Sequence, residues 1–294
     1  MSSFQLESAP SFNSYVSIIL NISKDHLDRY DSINDYVSAK KKILNNRNSA
    51  YNIISVDDVY CQEIYSSNQY VNTIPISILK PINRGIYFVD DAICDNYFFK
   101  NKLITLNKIS QSLYGNFNLQ NILAAYIVSK IFDLDLKIFT DVVSNFTGLP
   151  HRLEKITENN KFIVINNSKA TNLDSAIKSI SSYNNIYLII GGIAKEKNFS
   201  SLIDYKKNIS KCYIIGESSN LIYKQLHSSI ESEISQNLEN AVDRIFLELN
   251  KSKFKSKFTI LFSPACSSFD QFKNFEDRGN KFKKIIMNKI NNYQ

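Results

Sequence analysis

The hydrophobic pattern opens with a short apolar, partly β-branched run at 15–20 (YVSIIL), which reads as a buried strand. An amphipathic stretch follows with its own start signal, Ser32 as N-cap and Asp35 three residues on. Its apolar positions are Ile33, Tyr36, Val37, Ile43 and Leu44. Lys40, seven after Ile33 and four after Tyr36, shares that stripe, whereas Lys41 and Lys42 point elsewhere. From residue 51 the pattern predicts a strand, a short helix from Asp57 and a strand over 71–79. A hairpin-rich stretch at 85–106 comes next, in which both 85–89 and 96–99 alternate as half-buried strands do. Gly115 opens a helix carrying Ile122, Leu123, Ala125, Tyr126, Ile127 and Val128, and a second helix covers 136–146. Gly148 and Pro150 mark a hinge between domains. Beyond them, strands at 162–166, 186–190, 212–216 and 259–263 alternate with helices, one of them over 219–227, and a basic helix ends the chain. That alternation argues for a mainly parallel sheet with helices on its faces and ligands beyond the carboxyl ends of its strands.

Length and composition narrow the class. The chain has 294 residues, enough for two domains with a core each, and 44% apolar with 21% charged residues is the balance of a soluble globular protein. Only 7 Gly and 5 Pro argue against low-complexity linkers. The net charge is +7, with lysines grouped at 251–257 and 281–289. No base-stacking aromatics interleave with them, so they read as solvated faces, compatible with an anionic substrate, and not as a nucleic-acid interface. Cys61, Cys94, Cys212 and Cys266 lack C-x-x-C spacing and, without a leader peptide, read as reduced thiols of a cytoplasmic protein. No apolar run approaches the roughly 20 residues of a membrane span. His26, His151 and His227 share no zinc-like spacing; His227 reads as surface and Cys266 as small packing.

Lys40 leaves two readings open. Its stem can lie on the core edge while the ammonium reaches water. Alternatively, desolvation can free the amine to react with carbon dioxide, giving a carbamate that is a hard oxygen ligand for Mg²⁺. His26, at 25–26 (DH) and read as the end of the preceding strand, then offers a second ligand. Asn118 and Asn121 lie three apart on one face at a helix start, where capping is the alternative to binding.

Several stretches carry a resemblance. The run N-I-S-K-D-H-L-D-R-Y at 21–30 with Ala39-Lys40, T-G-L-P-H-R at 147–152, S-K-A-T-N at 168–172 and S-P-A-C-S-S-F-D-Q-F at 263–272, in a signature that closes on Arg278-Gly279, resemble the Mur ligases, in particular their D-glutamate-adding branch. The resemblance implies an α/β fold: the C-terminal part of the central ATPase domain over 1–148, followed by a Rossmann-like C-terminal ligase domain over 149–294. It implies His26 and a carbamylated Lys40 as metal ligands and catalytic groups. Asn118, Asn121, Arg152, Asn167, Lys169 and Thr171 fall where the family meets ATP. Ser2 and Gln5, in an S-S-F-Q-L-E motif expected at a strand end, correspond to contacts with the muramoyl substrate, and Lys195, Ser268, Phe269 and Phe275 to further substrate contacts. Phe117 stands where the family has His, and Asn167 where it has Asp.

The implied reaction is ATP- and Mg²⁺-dependent amide formation. UDP-N-acetylmuramoyl-L-alanine gives an acyl phosphate, and the amine of D-glutamate displaces phosphate. Neither a nucleic acid nor a membrane is implied as partner. With 7 glycines and one adjacent pair, the chain holds no G-x-x-x-x-G-K-[ST] loop, and the family's UDP-binding domain and P-loop half would lie upstream of Met1. A second reading therefore stands beside the first, a split or inactive ligase fragment that works only with a separate N-terminal piece. Folylpolyglutamate synthase shares the architecture, but the three motifs at 147–152, 168–172 and 263–272 speak against it.

Overall fold

The computed structural model describes residues 1–23, 29–44, 50–67, 69–113, 115–251 and 257–291. The chain divides into two compact units, Met1–Thr147 and Gly148–Gln294.

In the first unit the elements are α1 (Ser3–Glu7), β1 (Val16–Ile19), α2 (Ile33–Lys41), β2 (Tyr51–Ser55), α3 (Val59–Ser66) and β3 (Thr73–Ser77). They continue with β4 (Ile86–Val89), β5 (Ala92–Asp95), β6 (Lys102–Thr105), α4 (Asn116–Ile131) and α5 (Leu136–Asn145). One sheet runs in the order β1-β2-β3-β4-β5-β6, parallel from β1 to β4 and antiparallel thereafter. Parallel strands need cover on both faces. Ile53, Ile74, Ile76, Ile86 and Ile93 pack under α4 and under Phe139 and Val143 of α5. Their alternating neighbours Ile19 and Ile54 pack under Tyr36, Ala39, Cys61 and Ile64 of α2 and α3. The β4–β5 connection is a two-residue turn with Asp90 and Asp91 both at positive φ, as its tight geometry requires.

Three sequence expectations change here. Residues 96–99 form no strand, because Asp95 Oδ1 accepts the amides of Tyr97 and Phe98 and bends the chain. The helix capped by Ser32 ends at Lys41, so Ile43 and Leu44 are not on its stripe, although Leu44 is buried. The S-S-F-Q-L-E motif is the short helix α1, and β1 ends at Ile19, well before His26.

The second unit holds β7 (Glu154–Glu158), β8 (Phe162–Asn166), α6 (Leu173–Ile180), β9 (Ile186–Gly191), β10 (Ile209–Ile215) and α7 (Ser219–Leu226). It ends with β11 (Ser232–Gln236), α8 (Leu238–Lys251), β12 (Phe258–Phe262) and α9 (Phe275–Asn291). The sheet order is β11-β10-β9-β12-β8-β7, all parallel except β7. One face packs under Leu173, Ala176, Ile180, Ile222 and Leu226, the other under the apolar stripe of α8 and Phe282 and Ile286 of α9. Because β8, β9, β10 and β12 run parallel, the turns that follow them lie at one end of the sheet, the place where such sheets bind ligands, and β12 brings its turn between those of β8 and β9. Three of the four lysines of α9 pair with carboxylates of other elements: Lys281 with Glu239 and Lys289 with Asp243 of α8, and Lys283 with Glu154 of β7. Among the described residues no helix is long and apolar enough to cross a membrane.

Candidate functional site

Four turns are stitched together at the carboxyl ends of the second unit's strands. Asn167 N bonds Phe262 O at 2.8 Å, and Gly191 N bonds Pro264 O at 2.9 Å. Ile193 and Ser267 form an antiparallel bridge with amide bonds of 3.0 and 2.9 Å. Ser218 N bonds Gly192 O, and Ser218 Oγ accepts Ala194 N at 2.9 Å. Asp270 Oδ2 accepts Glu217 N at 3.0 Å. Gly192 must be glycine in this junction: its φ is +133°, and a Cβ there would lie 2.2 Å from Ser267 O.

Three cations border this crevice. Lys169 is half-buried with its Nζ 4.0 Å from the centre of the Phe275 ring. Burial lowers the Lys169 pKa first and Arg152 second; Glu276 opposes, and Lys195 adds to the lowering. Arg152 and Lys195 are exposed, yet both act on Lys169, so the three positive charges share one neighbourhood suited to an anion. Thr171 is half-buried in the same turn, ahead of the α6 cap made by Asn172. Ser268 is buried, with its carbonyl accepting Phe272 N, while Phe269 beside it is 70% exposed. Asn167 is turned inward: its Oδ1 accepts Leu153 N at 3.3 Å and its Nδ2 donates to Ser263 Oγ at 3.2 Å.

A buried network holds the loop of Arg152. His151 and Leu153 both have left-handed backbone, φ +64° and +48°, a strained pair of the kind that persists where surrounding bonds enforce it. His151 N donates to Glu154 Oε2 at 3.0 Å, and Asn166 Nδ2 donates to His151 Nδ1 at 3.0 Å. Lys169 N bonds His151 O at 3.1 Å, tying the two cation-bearing loops together. Gly279 makes room for the imidazole, since a Cβ there would stand 2.2 Å from His151 Nδ1. Burial lowers the His151 pKa, so the ring stays neutral and Nδ1 can accept.

In the first unit, Ser2 and Gln5 make a capping box. Ser2 Oγ accepts Gln5 N at 3.2 Å and Gln5 Oε1 accepts Ser2 N at 2.8 Å. The cap uses acceptor atoms and leaves the Ser2 O–H and the Gln5 Nε2 hydrogens as donors. Lys40 is half-buried, with its Nζ 5.0 Å from the Tyr36 ring centre and its charge felt at the buried Cys61 thiol. Asn121 Nδ2 donates to Asn118 Oδ1 at 3.0 Å, and α4 is capped by Gly115 with no side-chain bond, so neither asparagine is its N-cap. Between them, Gln120 reaches inward to Ser55 Oγ and Asp57 Oδ2. Asp57 also accepts Ser77 Oγ and Ile78 N, which makes it a hub at the carboxyl ends of β2 and β3. His26 lies outside the described residues. Among the described residues no three His, Cys, Asp or Glu side chains group as a metal site.

Sequence reasoning read Asp57 only as the start of a helix and assigned no part to Gln120, Glu154 or Arg278. Arg278 is 1% exposed beneath the crevice. Its signal was the R-G pair that closes the signature at 263–279, to which sequence reasoning attached no role.

Comparison with known proteins fits this geometry. Residues 1–129 match the Mur ligase middle domain. The UDP-N-acetylmuramoylalanine–D-glutamate ligase of Rickettsia prowazekii is 39% identical over 289 residues, covering 97% of this chain and 64% of that protein. The ligase of the same name from Caulobacter vibrioides is 36% identical, covering 97% and 61%. The chain thus spans a little under two thirds of the length of these relatives. Among solved structures, the UDP-N-acetylmuramate–alanine ligase of Thermotoga maritima superposes with a TM-score of 0.65 at 18% identity, covering 98% of this chain and 62% of that one. The bifunctional folylpolyglutamate synthase/dihydrofolate synthase of Yersinia pestis, complexed with AMPPNP and Mn ion, gives 0.66 at 12% identity, covering 95% and 63%. At such identities the superpositions speak for the fold alone. The middle-domain match, the relatives aligned along nearly the whole chain and the strand-end motifs now seen side by side agree: the chain belongs to the Mur ligase family.

Proposed function

We propose that the chain contributes to an ATP-dependent amide ligase that joins D-glutamate to UDP-N-acetylmuramoyl-L-alanine through an acyl phosphate, in peptidoglycan precursor synthesis. In this reading residues 1–148 belong to the central ATP-binding domain and 149–294 form the C-terminal ligase domain. The observation that carries it is the set of Arg152, Lys169 and Lys195 around a crevice built from four strand-end turns.

Each group has a physical task. Arg152 offers a planar fork to phosphate oxygens, and Lys169 supplies a compact charge whose lowered pKa reflects burial and like-charge neighbours. Thr171 adds a hydroxyl in the same turn, and Asn118 with Asn121 presents amide groups to the nucleotide from the start of α4. Lys195 holds the carboxylate of glutamate, with Ser268, Phe269 and Phe275 shaping its surroundings. Ser2 and Gln5 offer their remaining donors to the muramoyl substrate. Lys40, as its carbamate, and His26 would hold Mg²⁺, whose chemistry is to neutralise charge on the transferring phosphoryl group.

The test is equilibrium binding of a fluorescent ATP analogue to the chain, alone and with the N-terminal third of the Rickettsia prowazekii ligase. Lys169→Ala removes a charge-assisted contact of about 1.5–3 kcal/mol, so affinity should fall roughly tenfold to a hundredfold. Lys195→Ala should leave nucleotide affinity near wild type and weaken protection by D-glutamate. Binding only in the mixture would favour a split ligase; a folded chain that binds nothing in either case would sink the proposal.

A further inference from the structure

Arg278 combines full burial with an unusual partner set. Its Nε donates to Ser168 Oγ at 3.1 Å, its Nη2 to Ser168 O at 2.8 Å and its Nη1 to Cys266 O at 3.0 Å. Ser168 Oγ in turn donates to Phe275 O at 2.8 Å. All three acceptors are neutral, and among the described residues no carboxylate lies within salt-bridge distance of the guanidinium. Buried charges are ordinarily paired, since an unpaired one costs several kcal/mol. Burial pushes the Arg278 pKa down to about 10, still far above neutrality, so the group keeps its charge. Ser168 precedes Lys169 in the turn after β8, and Cys266 lies two residues before Ser268 in the turn after β12. Gly192, in the turn after β9, is close as well, since a Cβ on it would lie 3.3 Å from Nη1.

We propose that Arg278 is a positioning residue of the crevice: its guanidinium locks the turn carrying Lys169 to the turn carrying Ser268 and keeps beneath both a positive charge that Asp270 offsets from a distance and no carboxylate of the described residues pairs directly. The proposal rests on the ligase reading only for the identity of the anion that this charge favours. A planar fork suits the position, because Nε, Nη1 and Nη2 aim in fixed directions at three acceptors on two turns, which a compact ammonium with one nitrogen does not match. Arg278→Lys therefore keeps the charge and loses the lock, whereas Arg278→Ala loses both and leaves a hole of guanidinium shape.

Amide hydrogen exchange on the unliganded chain tests the lock without any ligand. In Arg278→Lys, exchange should rise at least tenfold at 167–172 and 264–270 and stay at the wild-type rate in β10 and β11. An equal rise throughout the second unit would mark a merely stabilising residue, and no rise in the two turns would mean no lock; either overturns the proposal. ATP titration provides the second readout. Arg278→Ala should bind at least tenfold more weakly than wild type and recover with millimolar guanidinium ion, while unchanged affinity in the folded variant would contradict the role of the charge. Should wild type bind no ATP, the ligase reading fails, and the exchange data still decide on Arg278.

Discussion

At the scale of single residues, His151 and Glu154 make the second unit sensitive to acid in a defined direction. Burial lowers the His151 pKa from 6.5, so below that value the unfolded chain takes up a proton that the folded one refuses. Stability is then fully present above pH 6.5 and falls as the pH drops through and below it. Burial pulls the Glu154 pKa up, but its bonds to Lys283 and to His151 N outweigh this, and the net shift is downward from 4.5. Its contribution holds above 4.5 and is lost at lower pH. Urea unfolding followed from pH 8 to pH 5 should show the midpoint falling, and His151→Gln should flatten that slope. Gly192→Ala offers a second check, since strain at φ +133° adds to a 2.2 Å clash with backbone. It should lower stability by about 2–4 kcal/mol, read as a fall in Tm of the order of 10 °C. Arg152 and Lys169 were legible in the sequence because their motifs are contiguous. The part played by Arg278 was not, although it closes the signature at 263–279, because its meaning lies in carbonyl groups contributed by residues 168 and 266, and its own helix reads as a basic surface.

At the scale of elements, the apolar strands were legible and the polar ones were not. Phe162–Asn166 was read from sequence with its observed bounds, since burial almost throughout leaves four apolar residues in a row before Asn166. β7 and β11 escaped because they are half-exposed outer strands, E-K-I-T-E and S-E-I-S-Q, whose charges suit an edge and hide the period. The stripe Leu238, Ala241, Val242, Ile245, Phe246 and Leu249 of α8 has plain helical spacing and was passed over for the lysines that follow it. Likewise Ser2 and Gln5 carry the spacing of a capping box, but attention to the motif placed them at a strand end. Asp57 shows how turns after β2 and β3 are joined to α4, through Ser77, Ile78 N and Gln120. Asp57→Ala leaves the half-buried Ile78 amide and the buried Ser77 hydroxyl without this acceptor and the Gln120 carboxamide with Ser55 Oγ alone, and should cost about 2–4 kcal/mol in chemical denaturation. Asp57→Asn, which retains one acceptor oxygen, should cost about half as much.

At the scale of the whole molecule, each unit has a core on both faces of its own sheet, built from its own residues. Residues 148–294 made alone should therefore unfold cooperatively, with coincident far- and near-ultraviolet dichroism transitions. Failure to fold would show that the second unit depends on the first. The fold class was legible because strand–helix alternation and length suffice to specify it, whereas the chemistry depends on turns distant in sequence that the sheet order brings together. The central claim is the ligase activity, and product formation tests it most directly. The chain, supplied with the N-terminal third of the Rickettsia prowazekii ligase, is incubated with ATP, Mg²⁺, UDP-N-acetylmuramoyl-L-alanine and radiolabelled D-glutamate. The account predicts ATP-dependent transfer of label into the nucleotide-linked product, reduced at least a hundredfold by Lys169→Ala. Absence of labelled product from the folded chain, under conditions where the intact Rickettsia ligase turns over, would contradict it.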